Sequence, residues 1–234
     1  MSRLRPVLAL LTVLAALTAC SSSKPKNNAN QSAANLPAGD TLLKESSAAM
    51  RDIKSAQFLI TADGSVAGLN LHRAEGTLTR EGSAKGTAQI DQAGVNVELT
   101  FVIVGDKIYL KGPTGGYQTL PLALAASVYD PSVILNPDKG IAKVLSTATE
   151  AKTEASETVD GKATWRIAAK ATATDLATVV PGVSGVVPGQ LWIAKDDKRL
   201  VKATFKLPDT GDTKGGTVNV TFTQFDAPVT ISAP

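Results

Sequence analysis

The sequence predicts an α+β domain: one wide antiparallel sheet with a helix ahead of it and two or three short helices in its breaks. Three observations carry that prediction. Apolar residues recur at helical spacing near residues 42–53 and then change to strand-like alternation. The strand-like segments follow one another through short glycine-containing connections, which suit antiparallel pairs because parallel ones need long crossovers. The alternation is interrupted in mid-chain by Asp130-Pro131 and Asn136-Pro137, whose residue types suit helix starts.

The first elements are not part of that domain. Arg3 and Arg5 precede an apolar run from Pro6 to Leu17. A membrane-spanning helix needs roughly 20 apolar residues, so this shorter run reads as an export signal to be excluded from fold reasoning. It ends in Leu17-Thr18-Ala19-Cys20, which resembles a bacterial lipobox. Thr18 and Ala19 are small enough for a narrow peptidase cleft, and the Cys20 thiol would accept a diacylglyceryl group. Cys20 is the only cysteine in the chain, so it has no internal disulfide partner and lipidation accounts for it. Each buried methylene contributes about 0.8 kcal/mol, so one acyl chain holds marginally and two or more hold firmly. The expected divisions are a signal peptide over 1–19, a lipidated cysteine with a tether over 20–38, and one folded domain over 39–234. Ser21 to Pro37 carries almost no large apolar group and cannot bury enough surface to order itself. As a flexible coil it would span about 20–25 Å, and fully extended nearly 60 Å.

Asp40 is the expected N-cap of the first helix, with Leu42, Leu43, Ala49, Met50 and Ile53 on one face. Strands are predicted over 57–67, 76–81, 84–91, 95–104 and 107–112. In the fourth, Val95, Val97, Leu99, Phe101 and Ile103 share a face, and Gly105-Asp106 forms a hairpin connection. Behind the two proline pairs stand Val133, Ile134 and Leu135, then Ile141, Ala142, Val144 and Leu145, as short apolar helices. Strands resume over 153–159 and 162–172 around Asp160-Gly161, followed by a short helix over 174–180. Further strands cover 190–195, 199–207 and 217–225, about ten in all. A sheet this wide tends to curl. Curling around helices lined by small side chains would leave an apolar space.

Composition narrows the function. The full chain has 24 Lys and Arg against 21 Asp and Glu. Loss of Arg3 and Arg5 with the leader leaves 22 against 21, a balance unlike the clustered basic face of a nucleic-acid binder. His72 is the sole histidine and Cys20 is assigned to lipidation, so no Cys/His zinc cluster is expected, and no cofactor is assigned. His72 itself reads as a strand-end or surface residue. Gly182-Val183-Ser184-Gly185 misses the G-x-S-x-G nucleophile elbow by one position and lies between Pro181 and Pro188, so it reads as a loop. Asp196-Asp197 sits where a turn is expected. No catalytic or metal-ligating residue is assigned.

The run Val128-Tyr129-Asp130-Pro131-Ser132-Val133-Ile134-Leu135-Asn136-Pro137-Asp138-Lys139-Gly140-Ile141-Ala142 resembles the LprG branch of the mycobacterial LppX/LprA/LprF/LprG lipoproteins. The likeness extends to Lys54-Ser55-Ala56 at the end of the first helix, to Gly76-Thr77-Leu78-Thr79 and to the strand containing Trp192. One departure is that the nearest aromatic ahead of the run is Tyr117, where members often carry tryptophan. The resemblance implies a half-barrel with helices on its concave face, enclosing a hydrophobic cavity for the acyl chains of multi-acylated lipids. The implied ligands are triacylated phosphatidylinositol mannosides, lipomannan, lipoarabinomannan and triacylglycerides, and the implied partner is a major-facilitator exporter. Expected cavity residues are Leu78, Ala88, Ile90, Val97, Leu99, Phe101, Ile103, Leu135, Ile141 and Leu145, with the loop ahead of Leu135 gating the mouth. The helix-start residues themselves read as architecture, and periodicity alone does not separate a packed core from a hollow one. Attachment to the outer face of the cytoplasmic membrane is expected, with cell wall or medium as further locations. The competing reading is a membrane-anchored interaction or assembly protein for an exporter, with a solid core. A lipid hydrolase would require Ser184 or His72.

Overall fold

The computed structural model describes residues 36–64, 71–92, 94–125, 133–177, 179–180, 183–209 and 215–234. All of them belong to one compact unit, Ala34–Pro234. Cys20, the export signal and most of the tether lie outside the described residues, as do Asp130-Pro131 and the gating loop.

Eleven strands form one sheet in the order β6-β5-β4-β3-β2-β1-β11-β10-β9-β8-β7. They are β1 (Ser55–Asp63), β2 (Leu71–Thr79), β3 (Ala84–Gln92), β4 (Val95–Val104), β5 (Lys107–Lys111) and β6 (Gln118–Pro121), then β7 (Thr149–Val159), β8 (Lys162–Thr172), β9 (Val186–Ala194), β10 (Leu200–Lys206) and β11 (Thr217–Thr223). Two antiparallel meanders, β1–β6 and β7–β11, meet where β1 pairs with β11. The sheet is curved and unclosed, with β6 and β7 as its edges. Because consecutive strands inside each meander are neighbours, only the 122–148 connection must travel from one edge to the other. Eleven strands span about 48 Å around the sheet at 4.8 Å spacing. Residues of that connection cross the inner face and bring helical cover to it.

That cover consists of α1 (Gly39–Arg51), α2 (Leu122–Ala125), α3 (Ile141–Thr147) and α4 (Ala173–Leu176). Helix α1 buries Leu42, Leu43, Ser46, Ser47 and Met50, one face at helical spacing. It packs on α3, where buried Ser47 Oγ donates to the Ala142 carbonyl at 2.7 Å. The apolar side chains of α1, α3 and α4 join Phe58, Ile60, Leu191, Phe205, Val220 and Phe222 of the sheet in one contiguous core. Each such side chain, fully buried, contributes roughly 1.5–3 kcal/mol.

Several boundaries differ from expectation. Asp40 lies inside the first turn of α1, and the cap position is Ala38 without a side-chain bond. Its charge still opposes the helix dipole favourably. Helix α1 ends at Arg51, so Ser55-Ala56 opens β1 rather than closing the helix. Asn136 does not cap α3. Its Oδ1 accepts the amides of Asp138 and Lys139 in a separate turn, and α3 begins after Gly140. The short helix expected over 174–180 is confined to Ala173–Leu176, capped by Thr172, which accepts the Asp175 amide. Strand β9 begins at Val186, inside the stretch read as loop. The eleventh strand is β6, whose four residues are all exposed and end in proline. An edge strand carries no buried face, so no alternation announces it.

Candidate binding site

The inner face of the sheet can be built row by row from the register. At one end Ala56, Leu78, Ala84, Ile103 and Ile108 lie side by side across β1–β5, all buried. The next row reads Phe58, Gly76, Gly86, Phe101 and Leu110. The third reads Ile60, Ala74, Ala88 and Leu99. Large side chains therefore stand on β1 and β4, while β2 and β3 between them carry only glycine and alanine in two successive rows. That arrangement makes a trough with an almost bare backbone floor.

The glycines are required by the approach of the two strands. A Cβ on Gly76 would stand 2.1 Å from the Lys85 carbonyl oxygen, and one on Gly86 would stand 2.0 Å from that of Glu75. Glycine within a strand often marks such a bend or close approach.

Along β3 and β4 burial falls from one end of the trough to the other, while Ala74 and Leu71 on β2 stay buried. Ile103 and Phe101 are buried, Leu99 and Val97 are half-buried, and Val95 is 61% exposed. On β3 the same change runs from buried Ala84 to half-buried Ala88 and Ile90. The trough is closed at its Ile103 end and, on its β3–β4 side, open at the other.

The ten residues singled out from the sequence divide accordingly. Leu78, Phe101, Ile103, Leu135, Ile141 and Leu145 are buried together in the main core, with Ala88 and Ile90 packed against its rim. Val97 and Leu99 stand further out along β4. Leu135, Ile141 and Leu145 come from the crossing segment, and the other seven from the sheet. Phe58, Ile60, Ala74, Gly76 and Gly86 were not singled out. The one available signal was a pair of glycines inside predicted strands.

The remaining candidates are scattered. His72 is exposed on β2 beside a bulge, and Ser184 is exposed ahead of β9. Asp196 and Asp197 form a turn, each accepting a backbone amide one or two residues ahead. The Asp197 amide holds the Asp196 carboxyl below the usual aspartate range. Among the described residues no group of three or more His, Cys, Asp and Glu could hold a metal ion. No described helix is long and apolar enough to cross a membrane.

A second, smaller apolar cluster lies on the outer face, where Trp192, Ala194 and Val201 pack with Val159 and Phe225. Trp192 Nε1 donates to Glu157 at 2.8 Å, and Lys202 Nζ stands 4.8 Å from the Trp192 ring. Glu157 also pairs with Arg166. These contacts account for Trp192 as a structural residue of the outer face.

Comparison with known proteins extends the picture. The chain is 32% identical over 232 residues to the lipoarabinomannan carrier protein LprG of Mycolicibacterium smegmatis, covering 97% of this chain and 94% of that one. It is 31% identical to the protein of the same name from Mycobacterium tuberculosis, with the same coverage. Its fold matches crystal structures of LprF from Mycobacterium bovis (TM-score 0.72, 24% identity, 84% of this chain and 96% of that one) and LppX from Mycobacterium tuberculosis (TM-score 0.62, 21% identity, 82% and 97%). The LppX_LprAFG lipoprotein family model matches residues 38–231. The sheet, its helical cover and the sequence agree, and the chain belongs to the LppX_LprAFG lipoprotein family.

Proposed function

We propose that this protein is a non-catalytic carrier of multi-acylated lipid in the cell envelope, held by Cys20 to the outer face of the cytoplasmic membrane. The observation that carries this reading is the trough, with a bare floor at Gly76 and Gly86, walls at Phe58 and Phe101, and one open end. Acyl chains laid on that floor would fill space that no side chain of the sheet occupies. The inner-face residues Leu78, Ala88, Ile90, Val97, Leu99, Phe101 and Ile103 would contact them from the sheet, and Leu135, Ile141 and Leu145 from the helical layer. Triacylated phosphatidylinositol mannosides, lipomannan, lipoarabinomannan and triacylglycerides are the proposed cargo, in line with the carrier names of the relatives.

The energetics suit a carrier. Transfer of one palmitoyl-sized chain from water to an apolar site is worth roughly 12 kcal/mol, at about 0.8 kcal/mol for each of some 15 methylenes. A bilayer offers nearly the same gain. A site that only matches the bilayer can both load and unload, and it needs no catalytic group. The sugar head would remain in water, outside the trough, and a major-facilitator exporter is the proposed partner for passage towards the outer envelope.

Native mass spectrometry of the chain from Ser21 onward, purified from an envelope rich in such lipids, tests this reading. Multi-acyl lipid should co-purify. Ala88→Trp, which places an indole on the floor, should lower occupancy at least tenfold while the circular dichroism spectrum stays unchanged. A wild-type protein that emerges empty would overturn the carrier reading and favour an assembly factor with a solid core.

A further inference from the structure

The outer face of the sheet carries a groove of about 370 Å³ across β7–β10. Ala168 and Pro188 contribute to its floor, and Lys152, Lys170, Lys206 and one carboxylate, Glu150, line it. Lys170 and Glu150 pair with each other at 2.8 Å. Lys152 and Lys206 have no ion-pair partner among the described residues. The groove therefore keeps two uncompensated positive charges beside an apolar floor. Val186 lies on the same face as Pro188 by strand alternation and is 58% exposed. A large apolar side chain left in water next to unpaired lysines has the character of an interfacial surface.

Two further observations indicate what would cover it. The first is where the chain enters the body. The Pro37 carbonyl accepts from Thr153 Oγ1 at 2.7 Å, and Gly39 lies so close to β7 that a Cβ there would stand 2.6 Å from the Ala151 backbone. The segment leading back to Cys20 thus joins the body beside Lys152. The second is the register. Val97 pairs with Ile90 and Ile90 with Leu71, while at the same end of the sheet Asp63 pairs with Thr217 and Thr217 with Lys206. Phe205 pairs with Gly189, and Lys170 pairs with Pro188. The lysine groove and the open end of the trough therefore occupy the same end of the sheet.

We propose that this groove is a docking surface for the anionic headgroups of a bilayer, with Lys152 and Lys206 meeting lipid phosphates and Val186 entering the interfacial layer. The proposal rests on the anchored-carrier reading and deepens it. Docking there would turn the open end of the trough towards the membrane from which lipid is drawn, with Pro37 held at β7.

Flotation of the chain from Ser21 onward, without acyl groups, on phosphatidylcholine vesicles with and without phosphatidylglycerol tests this. Binding is expected only to the vesicles containing phosphatidylglycerol and should vanish in molar salt, where the screening length falls to about 3 Å. Lys152→Gln and Lys206→Gln should each weaken partitioning about fivefold, and together about thirtyfold. Lys107→Gln removes the same charge at the opposite end of the sheet and should leave partitioning within about twofold of wild type. Equal binding of the double variant and Lys107→Gln would overturn the proposal, as would equal binding to neutral vesicles. Native mass spectrometry on the same preparations reads lipid occupancy separately, so failure of docking and failure of carriage are distinguishable.

Discussion

At the scale of single residues, the glycine pair at the floor of the trough has the clearest physical reading. Gly76 and Gly86 face one another across β2 and β3, and each leaves less room for a Cβ than any real contact allows. Gly86→Ala would force the strands apart or flatten the bend, and overpacking of this kind costs about 1–3 kcal/mol. Urea denaturation should show an unfolding free energy lower by that amount, through a lowered midpoint with an unchanged slope. The same glycines were visible in the sequence only as interruptions of two predicted strands. Periodicity assigns a residue to a face, but it does not say that its cross-strand neighbour is also a glycine. Phe101 and Ile103 were legible because they continue the face begun by Val95, Val97 and Leu99 against Asn96, Glu98 and Thr100, although Val102 and Val104 blur the alternation at that end. Phe58 and Ile60 lie in the apolar run Phe58-Leu59-Ile60 of β1, and only the register places them as the wall opposite.

Secondary-structure elements explain why the helical layer was read in outline but displaced in detail. Asn136-Pro137 has the residue types of a helix start, and it does cap a turn. The helix itself begins after Gly140, where a Cβ would stand 2.1 Å from the Ile134 carbonyl oxygen. That approach is a tertiary constraint which local helix grammar does not contain. Once α3 is placed, α1 is held on it through Ser47, and on the turn ahead of it through the Arg51–Asp138 pair at 2.8 Å. The ion pair is exposed and contributes little. The serine bond is buried, so Ser47→Ala should destabilise the domain by about 1 kcal/mol in thermal or chemical denaturation. Strand β6 went unread for a related reason. Its four residues are exposed at a sheet edge, so they carry no buried–exposed pattern, and only pairing with β5 defines them as a strand.

The whole molecule depends on one seam. Every strand pair except β1–β11 joins neighbours in sequence, whereas β1 and β11 come from opposite ends of the domain. Through Phe58 opposite Phe222 and Ile60 opposite Val220, this pair unites the two meanders under a single core. Deleting residues 215–234 removes β11 and should leave no cooperative unfolding transition by circular dichroism, although ten strands remain encoded. A variant that still melted cooperatively would show that each meander closes its own core. Sequence separation of this size also makes β1–β11 pairing entropically expensive to nucleate, so the seam is expected to form late in folding.

The amino-acid sequence by itself determined the α+β class, the antiparallel succession of strands, the mid-chain helices and the resemblance to lipoprotein carriers. These follow from local periodicity, turn chemistry and short motifs, all of which act between residues close in the chain. Tertiary structure decided how the two meanders join, which end of the trough is open, and where the lysines of β7, β8 and β10 converge. Those features depend on register and curvature, which arise only when strands far apart in sequence pack against a common core.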